Sequence, residues 1–121
     1  MRSDKLPHYL RTYRKRAGLS QDELSWLLGC ESGSKVSRYE CFSRKPGLET
    51  ILAYEIVFRV PARELFGGIF DAVEMSTHRR VEALIKRLNA AESNRATAAK
   101  LSALRAITKS RIAKPHTGEH A

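Results

Sequence analysis

Cysteine is scarce in this chain of 121 residues, and long apolar runs are absent. Its two cysteines, Cys30 and Cys41, have no second pair of ligands nearby, so we expect reduced thiols rather than a zinc site or a disulfide framework. The longest nearly apolar run, residues 51–58, is interrupted by Glu55, and the N-terminal residues contain no apolar signal core. We therefore expect no membrane span, no secretory signal and a cytoplasmic location.

The chain also lacks the residue spacings that catalysis requires. Its four histidines are scattered, at His8, His78, His116 and His120. No Ser/His/Asp arrangement, no metal-ligand spacing and no glycine-rich phosphate loop accompanies them. The sequence therefore predicts a protein that is not an enzyme and that needs no metal or other cofactor.

Acidic residues are few compared with basic ones. There are 13 Asp and Glu against 22 Lys and Arg, which gives a formal net charge of +9. A charge of this sign favours a polyanionic partner, most often nucleic acid, although a membrane surface or an acidic protein would also fit. Hydrophobic residues make up 42% of the chain, enough for the core of one helical domain with an extension.

The first two helices are marked by apolar spacing and by capping signals. Helix one is indicated by the apolar residues Leu6, Leu10, Tyr13 and Ala17. Asp4 could cap its start, Pro7 fits its first turn and Gly18 ends it. Helix two starts at the capping box formed by Ser20 and Glu23. Its expected buried stripe is Leu24, Leu27 and Leu28, and Gly29 is its expected end.

A short third helix is predicted at about residues 34–41. Either Ser32 or Ser34 caps its start, and the helix buries Val36 and Tyr39. Its exposed side then carries four polar or basic residues, Ser34, Lys35, Ser37 and Arg38. The Pro46-Gly47 pair marks the loop that follows.

Two further short helices and an extension complete the chain. Helix four begins at Leu48, and helix five begins at Pro61 and is stopped by Gly67 and Gly68. The sequence thus predicts an all-α domain at residues 1–68 and an amphipathic helix within residues 69–94, a candidate dimerisation element. Residues 95–121 form a basic, partly helical or disordered tail, in which residues 114–121 are expected to be disordered.

Several residues recur in the order and spacing of a known pattern. They are Leu19-Ser20-Gln21, Glu23-Leu24, Leu27-Leu28-Gly29, Val36-Ser37-Arg38-Tyr39-Glu40, Pro46, Val60-Pro61 and Leu65-Phe66. Together they resemble the lambda-repressor-like helix-turn-helix family, often called XRE-type regulators, over roughly residues 6–68. The resemblance implies a five-helix bundle whose recognition helix, at about residues 34–41, lies in the major groove of DNA.

Position by position, the resemblance implies a set of DNA contacts. The base contacts fall to Ser32, Ser34, Lys35 and Arg38, and the phosphate contacts to Gln21, Ser37, Arg44 and Lys45. Arg38 is the strongest candidate for reading a base, because a guanidinium can donate two hydrogen bonds to guanine. The same pattern pairs Arg14 with Glu40 as a structural ion pair between helix one and helix three.

Three features depart from the family pattern. The segment between Gly29 and Val36 is one residue longer than the usual turn, which could bring Ser32 into contact with DNA. Arg59 stands where a glycine commonly ends helix four, and Glu55 stands at a position that is usually small or apolar. We expect these differences to change details of the site and of helix four rather than the fold.

The resemblance implies a sequence-specific transcriptional regulator that binds double-stranded DNA as a homodimer. Candidate dimer surfaces are Ile56 with Val57, and the helix at residues 73–88, which could equally pack onto the bundle. A second interpretation is an antitoxin-type or adaptor protein that holds a protein partner through residues 69–121 and regulates its own expression through DNA binding. Neither interpretation involves a membrane.

Overall fold

A computed structural model describes residues 6–112, and this part of the chain folds into α-helices joined by short loops. The helices are α1 (Leu10–Ala17), α2 (Gln21–Leu27), α3 (Gly33–Glu40), α4 (Leu48–Phe58), α5 (Ala62–Leu65), α6 (Gly67–Ala90) and α7 (Arg95–Ile112). The predicted all-α class is confirmed. The predicted cap at Asp4 and the predicted disorder of residues 114–121 concern positions outside the described residues.

Helix α1 begins later than its apolar pattern predicted. Pro7 precedes the helix, so its predicted place in the first turn was wrong. The Leu10 N–H instead donates to Nδ1 of the buried His8 over 3.5 Å. The Tyr9 N–H donates to the Leu65 carbonyl over 2.8 Å. These two bonds satisfy the backbone N–H groups of Tyr9 and Leu10, and the first of the two residues is bonded to the end of α5.

The predicted signals at the junction of α1 and α2 are confirmed. Gly18 ends α1 in the left-handed conformation, with a φ of 76°. Ser20 Oγ accepts the Glu23 N–H at 3.0 Å, and the Glu23 carboxylate accepts the Ser20 N–H at 2.9 Å. This capping box fixes the start of α2. Gly29, with a φ of 79°, follows the end of α2.

The buried side of α2 differs from the predicted stripe. Leu24 is fully buried, but Leu27 is 45% exposed, so the prediction that Leu27 is buried was wrong. Ser25 is buried instead, and its hydroxyl donates to the Ser32 carbonyl at 2.6 Å. Trp26 is 77% exposed. The hydrogen bond to Ser32 explains why a polar residue occupies a buried position of this helix.

Two of the departures from the family pattern lie at helix ends. Arg59 ends α4 in the left-handed conformation, with a φ of 59°, which glycine adopts more easily than any other residue. The Glu55 carboxylate accepts the Ala62 N–H at 3.1 Å and so satisfies a donor in the first turn of α5. A polar side chain at position 55 thus has a structural role, because its hydrogen bond links α4 to α5.

The core lies among α1 to α5 and the residue that follows α5. It consists of seven buried side chains: Leu10, Leu24, Val36, Tyr39, Tyr54, Leu65 and Phe66. The Tyr54 ring lies 6.3 Å from that of Tyr39 and 6.4 Å from that of Phe66, measured between centroids. Val57 packs against this core, whereas Ile56 beside it is 75% exposed. Of the proposed Ile56–Val57 dimer surface, only Ile56 is therefore fully presented to solvent.

Helix α5 ends at Leu65, just before the two glycines predicted to stop it, but Gly67 and Gly68 themselves begin helix α6. A Cβ at Gly68 would overlap the Leu6 carbonyl, and the Ile69 N–H donates to the Pro7 carbonyl at 3.1 Å. Gly68 is thus present because two backbone segments approach closely, not because the chain turns there.

The described residues form two compact units, divided between Ala72 and Val73. The first contains α1 to α5 and the start of α6. The second contains the rest of α6 and α7, and Asn94 Oδ1 accepts the Thr97 N–H at 2.9 Å to cap the start of α7. Between residues 6 and 112, no helix has the length and apolar character needed to cross a membrane.

Candidate nucleic-acid interface

Helix α3 presents its polar and basic side chains to solvent. Val36 is fully buried and Tyr39 is 4% exposed, so these two residues hold the helix against the core. The helix carries four residues that were predicted to contact DNA, Ser34, Lys35, Ser37 and Arg38, and all four are exposed. The burial pattern follows from the 3.6-residue period, which places Val36 and Tyr39 on the same side. The remaining surface of α3 is free to meet a ligand.

Ser32 caps the start of α3. Its Oγ accepts the Ser34 N–H at 3.4 Å and lies 2.9 Å from Ser34 Oγ. The cap satisfies one of the backbone donors that the first turn of a helix leaves without a partner. Ser32 is exposed, and it lies directly beside the exposed surface of α3.

Two hydrogen bonds fix α3 against α2. The Gly33 N–H donates to Asp22 Oδ1 at 3.0 Å, and the Ser25 hydroxyl donates to the Ser32 carbonyl at 2.6 Å. Gly33 is buried so closely against α2 that a Cβ there would overlap the Asp22 carboxylate and lie 3.3 Å from backbone atoms of α2. These contacts therefore fix the longer turn between the helices and, with it, the angle between α2 and α3.

Sequence reasoning missed the roles of Asp22 and Ser25. Asp22 was one of two acidic residues in the first turn of α2, a common place for them because of the helix dipole. Ser25 lay between apolar residues and carried no capping signal. The feature that could have drawn attention to both is Gly33, because a glycine after a possible cap suggests close approach of another segment.

Arg14 and Glu40 form a buried ion pair between α1 and α3. Arg14 Nε and Nη2 donate to the two Glu40 carboxylate oxygens, at 2.6 and 3.0 Å. Their side chains are 11% and 4% exposed, and the hydrogen bond to Glu40 raises the pKa of Arg14. Arg14 Nη1 also donates to the Leu19 carbonyl at 2.9 Å. The pair therefore joins α1, the residue before the Ser20 cap and the end of α3.

Gln21 belongs to the same network. Its Nε2 donates to Glu40 Oε1 at 3.1 Å, and the residue is half-buried at the start of α2. The structure thus places the Gln21 amide against Glu40, a contact that the sequence did not predict. An amide nitrogen carries two hydrogens, so one donor of Gln21 is left for another acceptor.

The loop after α3 carries Arg44 and Lys45, both exposed. It begins where Phe42 adopts a left-handed φ of 66° and places its ring 4.7 Å from that of His8. Cys41, at the end of α3, is a free thiol whose pKa is lowered by hydrogen bonding with Ser43. The contact with His8 ties the start of this loop to the segment before α1.

The exposed cations of α3 and its following loop could bind a polyanion. Lys35, Arg38, Arg44 and Lys45 all lie within this stretch of sequence. Within residues 6–112, no group of three or more His, Cys, Asp or Glu side chains is placed to hold a metal ion. The exposed Lys and Arg side chains of this surface offer hydrogen-bond donors and positive charge, both suited to phosphates and base edges.

Comparison with protein families matches residues 6–65 to a family described as "Helix-turn-helix domain". Comparisons with curated proteins and with solved structures give no significant match. The matched residues contain all of α1 to α5. Within them, α2 and α3 are consecutive helices joined by the hydrogen bond between Asp22 and Gly33. Residues 6–65 of this chain therefore belong to the helix-turn-helix domain family, as the sequence predicted.

Proposed function

We propose that the chain is a sequence-specific transcriptional regulator that binds double-stranded DNA with α3 in the major groove. The observation that supports this most strongly is the exposed polar and basic surface of α3, on a helix whose other side is fixed by the core. A recognition helix must be held firmly by the domain, since a mobile helix would not keep its side chains in the positions that distinguish one base from another.

The base contacts fall to Ser32, Ser34, Lys35 and Arg38. They lie at the start of α3 and along its exposed surface, the part of a recognition helix that approaches base edges. Arg38 has the chemistry for the most selective contact, because its guanidinium can donate to both O6 and N7 of guanine. Ser32 and Ser34 hydroxyls can donate or accept, so they suit several bases.

The phosphate contacts fall to Gln21, Ser37, Arg44 and Lys45. Gln21 stands at the start of α2, where the backbone N–H groups and the helix dipole favour a negative ligand. Its second amide hydrogen could bond a phosphate oxygen while the first remains on Glu40. Contacts of this kind set the register of the domain on DNA without reading its sequence.

A homodimer fits this function, because one such domain contacts only a few base pairs and two copies double the sequence that is read. The chain would then act in the cytoplasm as a DNA-binding protein rather than as an enzyme, and no cofactor takes part. Residues 73–121 follow the first compact unit in the sequence, and their basic residues would add contacts with DNA phosphates.

The experiment that tests the function is selection of bound sequences from a random pool of double-stranded DNA. We expect an enriched motif with twofold symmetry and half-sites about 34 Å apart, or a multiple of that spacing. Enrichment of no motif at any salt concentration, with binding only to DNA in general, would contradict the proposal.

An antitoxin-type or adaptor protein is the second candidate. The second structural unit exposes large apolar side chains at Val73, Met75 and Ile107, which are 56%, 47% and 40% exposed. Such residues could hold a protein partner while the first unit binds DNA. Co-expression with the product of a neighbouring gene, followed by purification of a stable complex, would favour this candidate over a regulator that acts alone.

A further inference from the structure

Helix α3 ends in a Schellman motif that has an aromatic residue where glycine is usual. The Phe42 N–H donates to the Tyr39 carbonyl at 3.1 Å. The Ser43 N–H donates to the Arg38 carbonyl at 3.0 Å. Phe42 lies between these bonds with a left-handed φ of 66°, which glycine and asparagine adopt more easily than a bulky residue. A backbone conformation of this kind persists where surrounding contacts hold it.

The Phe42 ring packs against His8. The centroids of the two rings are 4.7 Å apart, and the rings are inclined at 51°. His8 is 5% exposed, and its ring also lies 5.7 Å from that of Phe66, a core residue that follows α5. Phe42 is 49% exposed, so only part of its ring is in contact with the domain. A buried ring before α1 thus supports an exposed ring after α3.

His8 is itself fixed by several parts of the domain. Its Nδ1 accepts the N–H of Leu10, the first residue of α1, at 3.5 Å. Burial lowers the pKa of His8, and a hydrogen bond from the ring to the Tyr39 carbonyl, in the last turn of α3, acts in the opposite direction. With the Phe66 contact, the ring is held by the start of α1, the end of α3 and the residue after α5. It can therefore serve as a fixed point for Phe42.

Arg44 and Lys45 have no such contact of their own. Both are exposed, and neither forms a hydrogen bond or an ion pair with residues 6–112. Their positions are therefore set by the backbone of the loop between α3 and α4. Phe42 lies two residues before Arg44, so its contact with His8 fixes the loop close to both cations.

We propose that His8, acting through Phe42, positions Arg44 and Lys45 for contact with DNA phosphates. His8 is a positioning residue, since it is buried and its effect reaches the DNA through the loop. A loop that is already ordered loses less conformational entropy when its cations bind, so the contacts contribute more to affinity. The aromatic residue at the end of α3 is then retained for its contact with His8. This inference rests on the proposed function, because it concerns the same DNA-binding surface.

The salt dependence of DNA binding distinguishes positioning from a loss of stability. Each phosphate contact contributes about 0.9 to the slope of log affinity against log salt. In the full chain, His8→Ala and Phe42→Asn should each lower this slope by about 0.9 or more. A smaller folded fraction alone would lower the affinity at every salt concentration and leave the slope unchanged. Fluorescence anisotropy of a labelled duplex measures the slope.

Phe42→Asn is the variant that keeps the test valid if His8→Ala folds poorly. Asparagine accepts the left-handed conformation, so the end of α3 should form as in the wild type while the ring contact is lost. If Phe42 served only to end α3, the salt slope of Phe42→Asn would equal that of the wild type. That result would overturn the proposal.

Removal of the two cations tests the route of the effect. The variant with both Arg44→Gln and Lys45→Gln should lose the same part of the slope, and addition of Phe42→Asn to it should cause no further fall. Two falls that simply add would show that Phe42 acts elsewhere and would overturn the proposal.

Tyr13→Ala is the matched control. It removes a ring pair between α1 and α4, in which the Tyr13 and Phe58 centroids are 5.9 Å apart, without a change in the loop after α3. It should lower the stability of the domain and leave the salt slope unchanged. A fall in slope as large as that of His8→Ala would assign both effects to stability and would overturn the positioning role.

Trypsin cleavage between Arg44 and Lys45 tests the position of the loop without DNA. Cleavage at this bond should be several-fold faster in His8→Ala and Phe42→Asn than in the wild type, relative to cleavage after Arg38 within α3. Mass spectrometry of the fragments gives both rates. If the chain bound no DNA, the proposed function would fail, but faster cleavage would still show that His8 holds the loop.

The two measurements together decide the proposal. Unchanged cleavage in both variants would show that His8 does not hold the loop. Faster cleavage with an unchanged salt slope would show that the loop is held by His8 but does not contact phosphates. Either result would overturn the assignment of His8 as a positioning residue for DNA binding.

Discussion

The Glu40 carboxylate lies where α1, α2 and α3 meet, and its side chain is 4% exposed. Burial of a charge is costly unless hydrogen bonds and an opposite charge compensate it. Arg14 supplies two hydrogen bonds and the charge, and Gln21 supplies a third hydrogen bond. Because Glu40 is the last residue of α3, the same hydrogen-bond network that stabilises the fold also fixes the end of the proposed recognition helix.

We expect Glu40→Ala to lower the free energy of unfolding by about 3–5 kcal/mol, because Arg14 would remain buried without its partner. Urea unfolding followed by circular dichroism measures the change. The double variant Arg14→Met with Glu40→Leu serves as a control, since it removes both charges and should recover much of the loss. A single variant as stable as the wild type would show that the pair contributes nothing.

For Arg38 we expect a change in binding rather than in stability. Arg38→Ala should weaken binding to the selected site by about 1–3 kcal/mol and spare binding to unrelated DNA. Arg44→Ala, which removes a proposed phosphate contact, should weaken binding to both. Gel shifts on the two DNAs give the comparison. Equal losses for Arg38→Ala on both DNAs would make Arg38 a phosphate contact.

His8 should make the stability of the domain depend on pH. Burial lowers the pKa of His8, although the Tyr39 carbonyl and the Glu40 charge act in the opposite direction. A histidine with a lowered pKa binds fewer protons when folded than when unfolded, so stability falls as pH drops below about 6.5. Protonation of Nδ1 would also remove the acceptor of the Leu10 N–H.

Urea unfolding between about pH 7.5 and about pH 5 tests this expectation, a range that spans the ordinary histidine pKa. The wild type should lose stability over this range, and His8→Gln should lose less. An identical pH dependence in the two proteins would assign the titration to other groups.

At the scale of the helices, the sequence predicted several periodic features, although not the exposure of Leu27, and it predicted the long-range contacts poorly. Val36 and Tyr39 are buried where the helical period placed them, and the Ser20–Glu23 capping box involves residues only three apart. Ser25 and Gln21 are different, because their partners lie 7 and 19 residues away. Local patterns contain no information on such contacts.

The glycines also show that a local pattern does not reveal long-range contacts. Gly18 ends a helix as predicted, but Gly68 lies within the first turn of α6, where the Leu6 carbonyl leaves no room for a side chain. A glycine that permits a turn and a glycine that permits close approach look alike in a sequence. The Arg14–Glu40 pair could be anticipated because the family pattern includes it, whereas the Asp22–Gly33 contact belongs to the longer turn of this chain.

The contact between α2 and α3 gives a prediction at this scale. Gly33→Ala should reduce stability by about 1–3 kcal/mol, because the added methyl group would displace the Asp22 carboxylate from its hydrogen bond with the Gly33 N–H and crowd the backbone of α2. It should also weaken binding to the selected DNA, since the start of α3 would shift relative to α2. Gly47→Ala is the matched control, because no atom lies within 4 Å of a Cβ built there.

Thermal unfolding and gel shifts of both variants supply the readout. If Gly33→Ala and Gly47→Ala behave alike, the close contact at the start of α3 does not determine the position of the helix.

The charge of the whole chain is concentrated unevenly along its length. Residues 95–121 contain six basic residues and one acidic residue, Arg95, Lys100, Arg105, Lys109, Arg111, Lys114 and Glu119. If these residues contact phosphates, binding should release more counterions than the helix-turn-helix domain alone releases. Affinity would then depend more steeply on salt.

Truncation after Asn94 should therefore flatten the salt dependence of DNA affinity. Each lost phosphate contact should reduce the slope of log affinity against log salt by about 0.9. Fluorescence anisotropy of labelled DNA at several salt concentrations measures the slope. Replacement of Lys100 and Lys109 by Gln, which keeps α7, should give a smaller change. An unchanged slope after truncation would remove residues 95–121 from the DNA interface.

Trp26 has a consequence for spectroscopy. It is the only tryptophan of the chain, and it is 77% exposed in the folded protein. Its indole is mostly in contact with water before unfolding as well as after it, so its emission wavelength should change little when the domain unfolds. The same exposure makes the emission responsive to any molecule that covers the surface of α2, and a shift to shorter wavelength would report that contact directly.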